Sequence, residues 1–245
     1  MRTGELIRKL QSDMALAPWL PTLEEDRAEG GWLAVAELER ADTLTKLLAG
    51  FAHAEGFPGG DRRAIASLWS RWHFSAMLPP FVAALLLHRC APELQAVQLS
   101  PGNKTSGVAW RQRAPEFDPD SSGATCELTV WQARPLIDSL AGVSGVSTRV
   151  FWNNLGNLLE YLVTELRTHP DACGHVAHAF DALLEAPRLS DDSPNPLQRP
   201  VRYLPDASAG TRRMRRICCL YYLLPGAELC ASCPRTVCKP HHVQT

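Results

Sequence analysis

Nowhere does the chain carry an uninterrupted apolar run approaching the roughly 18 residues of a membrane-spanning helix, so none is expected. The first 21 residues also lack the central apolar stretch of a secretory signal, because Arg8, Lys9 and Asp13 interrupt it. A basic excess is missing as well. The 25 lysines and arginines face 26 acidic residues, a formal net charge of −1, which argues against a general nucleic-acid binder. There is no Ser-His-Asp signature, no phosphate-binding glycine loop and no dinucleotide fingerprint. What remains is ordinary for a globular protein: 45% hydrophobic and 21% charged residues, in a chain long enough for one large domain or for one domain plus a small one. Eight cysteines without a leader segment point to a reducing compartment, where thiols stay available for metal. The expected location is the cytoplasm, either free or peripheral at the inner membrane.

Four of the eight cysteines fall within sixteen positions near the C-terminus: Cys218-Cys219, ten residues, then Cys230-Ala231-Ser232-Cys233. Thiolates packed this closely and not oxidised commonly share a metal, because four sulfurs complete one coordination shell. Pro225-Gly226 lies between the pairs and suits a turn that brings one pair to face the other. Adjacent residues on an extended strand point to opposite faces, so Cys218 and Cys219 can serve one centre only if the backbone turns there. A zinc ion prefers ligands two to four residues apart, whereas a wider iron–sulfur cluster accepts neighbours. Spacing leaves open an iron–sulfur cluster, a zinc ion, and a vicinal disulfide or free thiols.

These residues also carry a resemblance. Arg215-Arg216-Ile217-Cys218-Cys219-Leu220-Tyr221-Tyr222, the Pro-Gly approach to the second pair, and Cys230-Ala231-Ser232-Cys233-Pro234 resemble the FhuF family of ferric-siderophore reductases. Weaker similarity extends upstream through residues 69–87, Leu99-Ser100-Pro101-Gly102 and Arg149-Val150-Phe151-Trp152-Asn153-Asn154. The resemblance implies a [2Fe-2S] cluster held by Cys218, Cys219, Cys230 and Cys233. It implies an oxidoreductase that reduces siderophore-chelated Fe(III) to Fe(II) by one electron, releasing iron in the cytoplasm. The implied substrate is a ferric siderophore of hydroxamate type. With no flavin or nicotinamide motif in the chain, the electrons are expected from outside, from a ferredoxin or a reduced flavin system. Two other functions fit the same cysteines: a zinc-stapled binding module, and a non-catalytic iron–sulfur sensor or assembly protein.

Along the chain, Leu6, Ile7 and Leu10 give one amphipathic turn before Pro18 and Pro21. Apolar residues from Trp32 to Phe51 recur at helical spacing after Gly30-Gly31, and residues 56–60 end that helix. Asp61 is the expected N-cap of a second helix through Met77, and Pro79-Pro80 the expected start of a third that ends near Arg89. Residues 94–99 and 107–111 read as strands around the turn Ser100-Pro101-Gly102-Asn103, and residues 126–131 as a third. Long helices are expected over residues 147–168 and 172–185. The fold class is α+β, a mostly helical body with a small antiparallel sheet and a short C-terminal cluster-binding segment. Its divisions are a body over 1–186, a proline-rich linker or extended segment over 187–210, and the cluster segment over 211–245.

Other candidates are weaker. Arg212, Arg213, Arg215 and Arg216 form either a solvated basic face or a cationic surround for the cluster, and Arg215, Arg216 and Trp152 are the candidate docking residues for substrate or donor. Trp69, Trp72 and His73 form one aromatic group and Trp152 with Asn153-Asn154 another; at helical spacing these read as core, or as a wall for an apolar chelate face. Cys90, Cys126 and Cys173 read as small buried hydrophobes. His175 and His178 lack a third metal ligand, and Cys238 with His241 and His242 reads as a tail.

Overall fold

The computed structural model describes residues 2–25, 31–112, 122–206 and 210–236. Its centre is a 27-residue helix, α4 (Arg62–His88), packed along α7 (Thr148–Leu166). Around this pair lie α1 (Thr3–Ser12), α3 (Ala41–Ala54), α6 (Leu128–Ser144) and α8 (Gly174–Glu185), with the short helices α2 (Val35–Leu38) and α5 (Ser122–Cys126). Asp61 does cap α4, its carboxylate accepting from the amides of Arg63 and Ala64. Ser147 does the same for α7 through the amide of Arg149. The amphipathic turn near the N-terminus extends to a full ten-residue helix with Leu6, Ile7 and Leu10 buried.

One sheet covers a flank, in the order β1 (Thr22–Glu25), β4 (Thr105–Gln112), β3 (Pro92–Leu99), β2 (Trp32–Ala34). The expected β3–β4 hairpin is present, with Leu94 opposite Trp110 and Val97 opposite Val108. β2 adds antiparallel to β3, and β1 adds parallel to β4. The α+β class stands, with a mixed rather than purely antiparallel sheet.

Three local expectations fail, each for a physical reason. Residues 126–131 are not a strand: α5 ends at Cys126 and α6 begins at Leu128. Val130, Ala133, Leu136, Ile137 and Leu140 are its buried face, a helical period that a six-residue window cannot reveal. Pro79-Pro80 start no new helix, because α4 runs straight through them. Interior prolines forfeit backbone hydrogen bonds at about 3 kcal/mol each, and here every residue from Met77 to Leu87 is buried, which outweighs that loss. Trp32 to Ala34 form strand β2 rather than the start of a helix, because they pair with β3.

The proline-rich stretch is held down along its length. Asn195 donates to the carbonyls of Leu183 and Ala186, closing the end of α8, and the amide of Arg199 reaches the carbonyl of Leu184. Its last residues form β5 (Val201–Asp206), a hairpin with β6 (Gly210–Arg215) that the sequence did not signal. Gly156 lets the chain lie this close: a Cβ there would sit 2.8 Å from Pro200 Cβ. The residues upstream of the cysteines are thereby laid against α7.

Candidate cluster site

Beyond β6 the backbone leaves the hairpin and wraps back onto α4 and α7. The amide of Arg216 donates to the carbonyl of Pro200, and the amide of Ile217 to Asn153 Oδ1 at 3.1 Å. Cys218 and Cys219 follow, and the turn they require is made by Leu220, which sits in the left-handed region at φ +61°. Its amide points to Cys218 Sγ at 3.4 Å. A 3₁₀ turn over Tyr221–Leu223 leads to Pro225-Gly226, where Gly226 at φ +70° reverses the chain and Ala227 donates to Leu224. Cys230 and Cys233 then return beside the first pair, tied by a Cys233 amide bond to the Cys230 carbonyl and an Arg215 amide bond to the Ser232 carbonyl.

Cys219 and Cys233 are buried, and Cys218 and Cys230 half-buried. The sulfurs of Cys219 and Cys230 stand 3.7 Å apart. Sharing a proton with Cys230 holds the Cys219 thiol well below its usual range, aided by the Arg215 and Arg71 charges. The same hydrogen bond pushes Cys230 up. Burial pushes the Cys218 thiol up. Among the described residues no three His, Cys, Asp or Glu side chains converge closely enough to hold one metal ion. The fit to a cluster therefore rests on the donor set. Four thiols from two facing pairs, one pair already at sulfur–sulfur contact, are bordered by cations and by an amide donor to sulfur.

The docking residues separate. Arg215 is buried, only 2% exposed, behind the cysteines and donates to Asn154 Oδ1, while its Nε finds no partner among the described residues. Burial lowers its pKa, and the neighbouring Cys219 opposes that. Arg216 is exposed and joins Trp152 in lining a cleft of about 690 Å³, together with Arg134, Arg149 and Arg199. Arg212 reaches the carbonyl of Ala231, and Arg213 is held by Glu160 at 2.6 Å.

Sequence reasoning missed how the site is held. Asn153 and Asn154 are buried in the middle of α7. Asn153 Nδ2 donates to the Pro200 carbonyl at 2.6 Å, while Asn154 Nδ2 donates to Ser67 and Ser70 of α4. Ser67 Oγ in turn donates to the Cys219 carbonyl at 2.7 Å. Arg71, one turn further along α4, was also missed; its guanidinium is 4.0 Å from Cys219 Sγ. Two adjacent asparagines in an apolar helix were the available signal, since that residue is poor in helix interiors without a partner. Of the aromatic group, Trp69 and His73 are core, ring-stacked and bonded to the Asn103 carbonyl and Thr105. Trp72 is 44% exposed. Cys90 and Cys126 are buried, and Cys173 is half-buried at the cap of α8. His175 and His178 are exposed. Cys238, His241 and His242 lie outside the described residues.

A helical body whose C-terminal loops bring Cys219 and Cys230 into contact beside two arginines, with Cys218 and Cys233 on the same two loops, defines a class of protein in which a short cysteine segment is mounted on an α+β scaffold. The family model described as ferric iron reductase FhuF-like transporter matches residues 67–211, more than half of the chain, and the FhuF 2Fe-2S C-terminal domain matches residues 215–235. The chain belongs to this family and carries its [2Fe-2S] domain. It is 27% identical over 184 residues to the ferric siderophore reductase of Escherichia coli (strain K12), an alignment spanning 71% of this chain and 66% of that protein.

Proposed function

We propose that this protein is an oxidoreductase that reduces siderophore-chelated Fe(III) to Fe(II) by one electron, in the cytoplasm or at the inner membrane's inner face, so that the iron leaves its chelate. The observation that carries the reading is the gathering of Cys218, Cys219, Cys230 and Cys233 in two facing loops beside Arg71 and Arg215, in a chain of this family. Those four cysteines are the residues that would hold the [2Fe-2S] cluster, which when bound supplies a reversible one-electron store. Oxygen donors bind hard Fe(III) far more tightly than Fe(II), so the protein need form no covalent bond to the substrate. Its residues have other tasks. Arg71 and Arg215 offset the negative charge of the thiolates, which favours the reduced state. Asn153, Asn154 and Ser67 fix the first cysteine loop, through Ile217 and Cys219, against α4 and α7. Arg216 and the neighbouring arginines of the cleft, which Trp152 also lines, present a positive surface to an acidic electron donor such as a ferredoxin, or to a reduced flavin. In this division the body over 1–186 is the scaffold, 187–210 the strap, and 211–245 the electron-transfer segment.

The test is metal and acid-labile sulfide content, with visible and EPR spectra, on protein purified without oxygen, followed by turnover of a ferric trihydroxamate. About two irons and two sulfides per chain, an EPR signal on reduction, and release of Fe(II) are expected. Zinc in a colourless protein that iron reconstitution does not change would overturn the reading in favour of a stapled binding module. Cys219→Ala and Cys233→Ala should each lose the iron, whereas Cys90→Ala and Cys126→Ala should keep it.

A further inference from the structure

Cys230 lines a second cavity, whose lining shares no residue with the cleft of Arg216. Its volume is about 520 Å³, within the usual range for small-molecule sites. One wall is a single face of α4: Leu68, Arg71, Trp72 and Ser75 follow one another at helical spacing of three and four residues. Tyr221 and Ala231, both from the cysteine loops, form the other wall, and Phe57 and Glu55 the rim. Trp72 is one of four large apolar side chains left exposed among the described residues. It is not loose, because Lys104 sits 4.3 Å over one ring face and is itself held by Glu55 at 2.7 Å. Arg71 lies 6.0 Å over the Tyr221 ring and 4.0 Å from Cys219 Sγ.

We propose that the cavity between Trp72, Arg71, Tyr221 and Cys230 is the binding site for the ferric chelate, with the organic arms of the chelate against the two aromatic rings. This assignment rests on the reductase reading above. Three observations carry it. A cysteine of the cluster set, Cys230, forms part of the wall, so a chelate bound here lies beside a residue that would hold the redox centre. The aromatic faces of Trp72 and Tyr221 and the apolar Leu68 and Phe57 match the aliphatic arms that wrap a ferric trihydroxamate. The charge is modest: Lys104 and Glu55 cancel, leaving Arg71 to meet the oxygen-rich face of the complex. The cleft of Arg134, Arg149, Arg199 and Arg216 has Asp138 as the one acidic side chain in its lining, and even with Arg199 paired to Glu185 it suits instead an acidic partner. At the Trp72 site the ferric ion takes one electron and becomes Fe(II), no bond to the protein forms or breaks, and the hydroxamate oxygens that release the metal take protons from water. An external one-electron donor replaces the electron.

Binding is tested apart from turnover with a gallium(III) trihydroxamate, which has the size and charge of the ferric complex but does not accept the electron. Calorimetric titration of the full, cluster-loaded protein should give a Kd that weakens about tenfold in Trp72→Ala and in Tyr221→Ala. The EPR spectrum of the reduced cluster and the melting temperature of Trp72→Ala should match the parent. Unchanged affinity in Trp72→Ala and Tyr221→Ala overturns the site assignment while leaving the reductase intact. A parent protein that neither binds the gallium complex nor reduces the ferric one overturns both.

Discussion

At the scale of single residues, Arg215 and Arg216 are neighbours in sequence with opposite environments. Arg215 is buried against the cysteines, where water cannot screen its charge, whereas Arg216 faces the solvent of the cleft. Arg215→Gln should therefore lower the midpoint potential of the cluster by the order of 60 mV, the one-electron equivalent of about 1.4 kcal/mol. Arg216→Gln should leave the potential nearly unchanged; protein-film voltammetry separates the two. Equal potentials in both variants would dismiss the electrostatic role. His73 carries a second prediction. Burial holds its imidazole down to about 4 against an ordinary 6.5, so it is neutral in the fold and readily protonated in the unfolded chain. The unfolded state then binds more protons between these values, and stability falls as pH drops from 6.5 toward 4, by up to about 1.4 kcal/mol per unit. Urea unfolding at several pH values should show this slope reduced in His73→Gln, and an undiminished slope would place its origin elsewhere.

At the scale of elements, α7 joins three parts of the molecule. Its asparagines bind α4, the strap at Pro200 and the start of the cysteine loop at Ile217. Asn154→Ala would remove one of Arg215's side-chain partners and leave Ser67 and Ser70 without their donor. The expected cost is about 3 kcal/mol, with iron content falling alongside the melting temperature. Gly156→Ala forces a methyl against the rigid Pro200 ring and should cost about 1–3 kcal/mol. Because the Pro200 carbonyl also anchors Arg216, weaker retention of iron is expected there too, measured by iron loss to a chelator over time. The helix ends were readable because capping is local: Asp61 and Ser147 bond amides within three residues. The interior of α4 was not, since nothing near Pro79 reveals that its surroundings bury it on all sides.

At the scale of the whole molecule, the arginine-lined cleft and the Trp72 cavity differ in charge, and the donor should feel this. Reduction by an acidic protein donor should slow steeply as ionic strength rises and should weaken in the double variant Arg149→Gln/Arg216→Gln; reduction by dithionite should change little. Stopped-flow traces at increasing salt check it, and a double variant with the parent's salt dependence would move the donor surface away from the cleft. The local order of the sequence determined the α+β class, the capped helices, the β3–β4 hairpin and the four cysteines, because capping, periodicity and ligand spacing act over a few neighbouring residues. Only the tertiary structure decided the rest. It showed that residues 126–131 continue a helical pattern, that β5 and β6 pair, that Arg215 is inside and Arg216 outside, and that Ser67, Arg71 and Trp72 stand beside cysteines about 150 positions away. Such contacts are set by how α4, α7 and the strap pack, and packing between segments so distant leaves no period or spacing in the sequence to read.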